Sequence, residues 1–444
     1  MSKNEMKLGL FLSVPGHHVV AWRHPHVKKE DIVNFNFMKK QVVLAEKAKF
    51  DMAFLGDVII TNYNKPTFGQ ESVARFEPLT LLSGLAAVTE KIGLIGTVST
   101  TYNEPYNVAR KFSSLDHISN GRAGWNVVTS TGSEIANNFG GEEILHSTRY
   151  ERAEEFLDVV KKLWDSWDED ALVFDQQNGQ FLDPSKVHPI KHDGQFFKVS
   201  GPLNIPRSVQ GHPVVVQAGS SEQGKELAAR SAEVVFTAWQ TVEEAQAFYE
   251  DVKSRLVKYG RDRDDLKIMP GIFPVVGRTE EEAQQKYQQL LDLIPEDLGV
   301  AHLSANLGVD LSAYPVDGPL PDLPNVEQIN GIKSRFEIIK ELSIRENLTI
   351  RQLYQRIAGA RGHNEVVGTP QQIADVMQEW FENGAADGFN IMPAQYGSSL
   401  DDFVELVVPE LQKRGIFKTE YTGDTLREHL GLKQPASLFA LQSV

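Results

Sequence analysis

The chain contains no cysteine. That absence removes disulfides, thiolate zinc sites, iron–sulfur clusters and a cysteine nucleophile at once. Basic residues are outnumbered as well: 45 Lys and Arg face 60 Asp and Glu, a formal charge of −15. A surface of that sign, with no segregated basic patch, repels phosphate backbones and anionic lipid, so neither nucleic acid nor a membrane is an expected partner. Long apolar runs are missing. The N-terminal MSKNEMKLGLFLSVPG carries an apolar stretch too short for a membrane span and no small-residue cleavage pattern after it. A cytoplasmic location is the resulting expectation. No G-x-G-x-x-G follows any expected strand, which leaves a Rossmann nicotinamide site unsupported. No fixed-period repeat or low-complexity tract interrupts the sequence. With 41% hydrophobic and 24% charged residues over 444 positions, the composition is that of a folded chain of two or three domains, or of one large barrel with insertions.

The order of elements favours the barrel. Short uninterrupted apolar runs at Met6–Leu12, Asp51–Leu55, Ile92–Ser99, Ala123–Thr129, Pro213–Gln217, Val234–Thr237, Lys267–Val276 and Gly388–Met392 read as parallel strands covered on both faces. Helical patterns separate them. They run over Phe35–Lys49, from Glu77 and Pro78, over Pro105–Ser119, Thr148–Trp167 and Ser220–Ala232, and from the pairs Thr241/Glu244 and Thr279/Glu282. Thr369, Pro370 and Gln372 open a further helix closed by Gly384, and Asp401–Lys413 is the last. In Thr148–Trp167 the apolar positions Ala153, Phe156, Leu157, Val160, Leu163, Trp164 and Trp167 follow helical spacing, and Thr148 with Glu151 matches a capping box. Eight strands alternating with helices is the count of a TIM-type (β/α)8 barrel; a doubly wound open sheet is the competing architecture. The surplus falls at 130–147, 168–212 and 295–368. These read as insertions in one barrel domain spanning 1–444, none with periodic elements of its own.

In such a barrel the chemistry lies where strands end. Asp57 follows the second strand, where it is either a ligand contact or a loop carboxylate. Thr97 and Ser99 share one face of the third strand. His146 and Tyr150 flank Thr148 at the start of a helix, where free N–H groups attract anions, although Tyr150 also falls on the apolar stripe as a core residue would. Gln217-Ala-Gly-Ser220-Ser221 leads from a strand into a helix and suits either a phosphate or an ordinary serine cap. His17, Arg23, His24 and His26 follow the first strand. His24-x-His26 has the spacing of binuclear metal barrels, but these would also need histidines and an aspartate where Gln217, Thr237 and Met392 stand. No metal is expected. A glycosidase would need a second strand-end carboxylate beside Asp57, and none is evident.

Several stretches together resemble the FMN-dependent monooxygenases of the nitrilotriacetate and dibenzothiophene-sulfone group, within the bacterial luciferase-like superfamily. They are Trp22-Arg23-His24-Pro25, Lys49-Phe50-Asp51 with Asp57, Ser114-Leu115-Asp116-His117, the run from Gly121 to Ser130, Arg149-Tyr150, Leu163-Trp164 with Ser166-Trp167, Gln217-Ala218-Gly219, Val408-Pro409 with Leu411-Gln412, and Thr425-Leu426-Arg427. The likeness covers nearly the whole chain and rests on the order of these pieces. It is strongest to Bacillus-type members that act on S-succinylated N-acetylcysteine.

The resemblance implies a luciferase-like barrel that binds reduced FMN delivered by a separate NAD(P)H-dependent flavin reductase, a transient partner. It also implies dioxygen as co-substrate and a homodimer or homotetramer. Flavin contacts would fall on Asp57, Thr97, Ser99, His146, Tyr150, Ser220 and Ser221, with His17 and His146 as catalytic candidates. His17, Arg23, Arg75 and His302 would meet the substrate, a small molecule such as a carboxylate-bearing thioether or amine. Arginines at the mouth suit a carboxylate better than an alkane. Two alternatives stay open: hydride transfer from a reduced deazaflavin, or flavin binding without turnover.

Overall fold

The computed structural model describes residues 5–61, 74–141, 143–325, 333–360 and 362–439. Its centre is a closed ring of eight parallel strands: β1 (Lys7–Phe11), β2 (Met52–Leu55), β3 (Gly93–Ser99), β4 (Ala123–Val128), β5 (Val214–Ala218), β6 (Val234–Thr237), β7 (Lys267–Val276) and β8 (Gly388–Ile391). Each pairs with the next in sequence, and β1 closes the ring on β8 with Lys7 opposite Gly388 and Leu10 opposite Ile391. An open doubly wound sheet is thereby excluded. Helices cover the outside, and the expected strands agree with the observed ones to within a residue or so at each end.

Alternation within the strands divides two apolar sets. Met52, Phe54, Ile95, Val214, Val216, Val234 and Met269 cluster inside the ring, while their neighbours Ala53, Leu94 and Val215 pack outward with the helices. The inner set is closed from the N-terminal end by Leu426, Leu430 and Leu432, carried by the helix Leu426–Leu430 and the turn after it. Burying each of those leucines contributes about 1.5–3 kcal/mol. The absence of a side chain at Gly93 makes room for the plug, since a Cβ there would lie 2.4 Å from Leu426 Cδ1. Arg427 then points its guanidinium into the floor, where it bonds the carbonyls of Gln210, His212 and Lys433 and both oxygens of Glu233.

Local signals account for most helix starts. The Thr241/Glu244 and Thr369/Gln372 capping boxes form, and Thr279 caps Glu280–Asp292 through the Glu282 N–H. Two expectations need correction. The long helix runs His146–Trp164, beginning after Leu145 with no side-chain cap, so Thr148 and Glu151 lie within its first turns instead of forming a box. The helix after β5 runs Glu222–Ser231, and its cap is Ser221, one residue later than the expected start at Ser220.

The third insertion is also better built than its sequence suggested. It carries three helices, Glu296–Leu307, Lys333–Glu346 and Ile350–Ala360, around their own apolar cluster of Leu303, Leu307, Phe336, Ile339, Leu353 and Tyr354. Val19 and Val20 join that cluster and fasten it to the loop after β1. The chain returns through a ninth short strand, Asn364–Gly368, parallel to the upper half of β7. The second insertion adds a two-residue antiparallel pair, His192–Asp193 with Lys198–Val199, held by Glu155, which accepts from His192 Nε2 and from the Phe196 and Phe197 N–H groups.

Candidate active site

The mouth of the barrel is where the strand ends and the helix starts meet. Tyr150, in the second turn of His146–Trp164, has its hydroxyl 3.3 Å from Ser221 Oγ. Ser221 in turn accepts the Gly224 N–H at 3.1 Å and so caps Glu222–Ser231. Two helices, each with a positive dipole end at its N-terminus, thus meet near their starts through two hydroxyls. This is the chemistry of a phosphate cradle. Ser220 is exposed beside it and Ser221 is the serine that meets Tyr150. The His146 side chain lies outside the described residues.

Thr97 and Ser99 are buried on the inner face of β3. Thr97 Oγ1 accepts from Asn126 Nδ2 at 2.8 Å, directly across the ladder on β4, and Ser99 Oγ accepts the Thr101 N–H at 3.1 Å. Asn126 Oδ1 is buried with no hydrogen-bond partner among the described residues. A buried acceptor left bare costs about 1–3 kcal/mol unless a ligand donor meets it. Asn126 was not singled out from the sequence, although a lone amide between Trp125 and Val127 on an apolar strand was the available signal.

Beneath these polar groups lies a layer of phenylalanines. Phe11, Phe54 and Phe236, from β1, β2 and β6, have ring centroids 5.0, 5.4 and 5.5 Å apart. His17 stands against Phe11 at 4.6 Å, buried, with Nε2 at 2.8 Å from the Phe11 carbonyl. A carbonyl can only accept, so that nitrogen carries a proton. His363 packs on Phe236 at 5.1 Å.

The remaining candidates are more dispersed. Asp57 is half-buried after β2, and its carboxyl is raised above the usual range by burial and by Glu77, with Arg75 opposing. Glu77 itself caps Pro78–Ala86 through the N–H groups of Leu79 and Thr80. Arg23 lies exposed on the rim and donates to the Leu293 carbonyl, an anchoring contact for the chain that leads into the third insertion. His302 lies in Glu296–Leu307, where Asn306 Nδ2 reaches both its carbonyl at 2.8 Å and its Nε2 at 3.3 Å. The loop histidine His24 is held below the usual imidazole range by burial and by His26. Among the described residues no cluster of three or more His, Asp or Glu side chains could hold a metal ion, and no helix is long and apolar enough to cross a membrane.

The family of luciferase-like monooxygenases matches residues 14–387. The chain belongs to that family. Over 441 residues, covering 99% of both chains, it is 52% identical to N-acetyl-S-(2-succino)cysteine monooxygenase from Bacillus subtilis (strain 168). It is 50% identical over 454 residues, covering 100% of each, to nitrilotriacetate monooxygenase component A from Aminobacter aminovorans. Among solved structures, riboflavin lyase with modified FMN and substrate riboflavin superposes with a TM-score of 0.84 at 33% identity, covering 97% of each chain. This luciferase-like protein is therefore a flavin-dependent monooxygenase that uses reduced flavin and dioxygen. The reading of a flavin binder without turnover is set aside by the same relatives.

Proposed function

We propose that the flavin is FMN, that a separate NAD(P)H-dependent reductase supplies it in reduced form, and that the substrate is a small carboxylate-bearing thioether or amine of the N-acetyl-S-(2-succino)cysteine type. The observation that supports FMN over a phosphate-free flavin is the junction of two helix N-termini at Tyr150 and Ser221. Support for the substrate class comes from the two half-identical relatives, named for a succinylated cysteine and for nitrilotriacetate, both rich in carboxylates. That both are monooxygenases also favours oxygen chemistry over the deazaflavin alternative.

When bound, reduced FMN supplies the electrons that let one oxygen atom of dioxygen enter the substrate while the other leaves as water. Everything else is the protein's part. Tyr150, Ser221 and the N–H groups of Glu222–Ser231 hold the phosphate; Thr97, Ser99, Asn126 and Asp57 offer polar contacts to the ring system; Phe11, Phe54 and Phe236 form a dry floor that keeps water from the reacting atoms. The His146 position at the start of the long helix and Ser220 beside the cradle complete the cofactor side. His17, with its Nε2 proton directed to the Phe11 carbonyl, stands at the edge of that floor. Arg75, Arg23 and His302 remain proposed substrate contacts. The molecule works as a homodimer or homotetramer in the cytoplasm.

The test is to incubate the purified protein with FMN, NADH and N-acetyl-S-(2-succino)cysteine, with and without an unrelated flavin reductase, under isotopically labelled dioxygen. Product carrying one labelled oxygen should form only with the reductase present. Rapid NADH oxidation by the protein alone would overturn the two-component reading.

A further inference from the structure

The return of the third insertion places a side chain inside the barrel mouth that no strand of the ring contributes. His363 immediately precedes the ninth strand, which pairs Asn364 with Ile272 and so puts His363 level with Gly271 of β7. Gly271 is what admits it. A Cβ at that position would lie 2.4 Å from His363 Nδ1 and 2.7 Å from Met392 Sδ, so the ring occupies the space a side chain would take. From there the imidazole tilts onto Phe236, the third member of the phenylalanine floor. His363 is only half-buried, whereas His17, on the Phe11 side of that floor, is enclosed. Of the two imidazoles resting on the floor, His363 is thus the more accessible.

The strand behind it is firmly keyed. Glu365, with its side chain buried, accepts from Tyr287 Oη at 2.7 Å and from Arg356, so one carboxylate ties the ninth strand to helices Glu280–Asp292 and Ile350–Ala360. An imidazole held on a fixed strand, at the edge of a dry aromatic floor, is preorganised to read a polar group on whatever lies above that floor.

We infer that His363 is a specificity-determining residue, donating a hydrogen bond to a substrate carboxylate from the β6–β7 side of the mouth. The inference rests on the carboxylate-bearing substrate proposed above. Arg23 and Arg75 follow β1 and β2, so His363 supplies a donor from a different side of the mouth.

Two substitutions separate hydrogen bonding from packing. His363→Phe keeps a ring on Phe236 and removes the N–H; His363→Asn keeps a donor and removes the ring. Both are assayed as full-length proteins with a flavin reductase, on N-acetyl-S-(2-succino)cysteine and on its carboxyl esters, with reduced-FMN affinity measured alongside. His363→Phe should raise KM for the acid by about tenfold, with kcat, ester turnover and FMN affinity nearly unchanged, and His363→Asn should retain most of the acid selectivity. Equal losses on acid and ester, or a better Phe than Asn variant on the acid, would overturn the inference while leaving the substrate reading intact. Failure of the unsubstituted enzyme to turn over the acid would instead overturn the substrate reading, and the inference with it.

Discussion

At the N-terminal end of the barrel Arg427 directs all five of its N–H donors to oxygens of Gln210, His212, Lys433 and Glu233. At the C-terminal end, buried oxygens of Asn126, Gln217 and Thr237 have no hydrogen-bond partner among the described residues. The same strands β4, β5 and β6 run between the two ends. At the floor the Arg427 donors are all taken and three leucines fill the ring, although Gln210 Oε1 and His429 Nδ1 are bare there as well; at the mouth the bare oxygens lie on the strands beside the proposed ligand site. The comparison sets a floor built for stability against a mouth proposed to bind the ligand.

The largest expected effect breaks the floor. Arg427→Ala leaves the Glu233 carboxylate buried without its cation, which should cost about 3–5 kcal/mol of stability. Urea or thermal unfolding reads this, and the protein that stays folded should bind reduced FMN normally. If flavin affinity fell in proportion to stability, the two ends would not be separable.

A pH dependence belongs to the same end. Burial, reinforced by the Arg427 guanidinium, pushes the His212 imidazole down to about 4 from 6.5. Its folded value is depressed, so the unfolded chain takes up the proton first as pH falls. The stability it secures is complete above about pH 6.5 and is lost progressively toward pH 4, by about 3 kcal/mol at that end. Glu233 is held well below the carboxylate range, chiefly by Arg427 acting against its burial, and adds a loss of the same sign at lower pH. Unfolding curves of His212→Gln between pH 7 and pH 4 should be flatter than those of the unsubstituted chain; parallel curves would remove His212 from the account.

How far the sequence revealed this division depends on range. The strands and the Thr241/Glu244 and Thr369/Gln372 caps were legible because they are written in residues two to four apart. The His146–Trp164 start was misplaced because the chain enters it from a loop without a side-chain cap, which overrides the Thr148/Glu151 pattern. The motif residues that carry the family likeness turn out largely to fasten the fold. Arg122 bonds the carbonyls of Ser119, Ile92, Thr89 and Ala86, and Asp116 takes the Ala123 N–H and Gln210 Nε2. Asp51 likewise holds the Leu8 N–H and Lys418. Asn126 and His363 went unseen because their neighbours, Thr97 and Phe236, are far away along the chain.

At the mouth the expected effects are smaller and fall on binding. The Tyr150→Phe, Ser221→Ala double variant should weaken reduced-FMN binding by about 1–3 kcal/mol, read by anaerobic titration, while loss of the Ser221 cap costs only about 1 kcal/mol in unfolding. Asn126→Ala sets the contrast most finely. It removes a bare buried acceptor together with the Nδ2 bond to Thr97, so stability should fall by no more than about 1 kcal/mol, while flavin affinity drops by about the same amount. A larger loss of stability in that variant would show that Asn126 belongs with the structural groups.

The assignment of the mouth rests on the cradle formed by Tyr150 and Ser221. Anaerobic titrations of the unsubstituted protein with reduced FMN and with reduced riboflavin, which differ only in the phosphate, test it most directly. FMN should bind at least about tenfold more tightly than riboflavin, and that gap should narrow sharply in the double variant. Equal affinities for the two flavins, or a gap that survives in the double variant, would contradict the account.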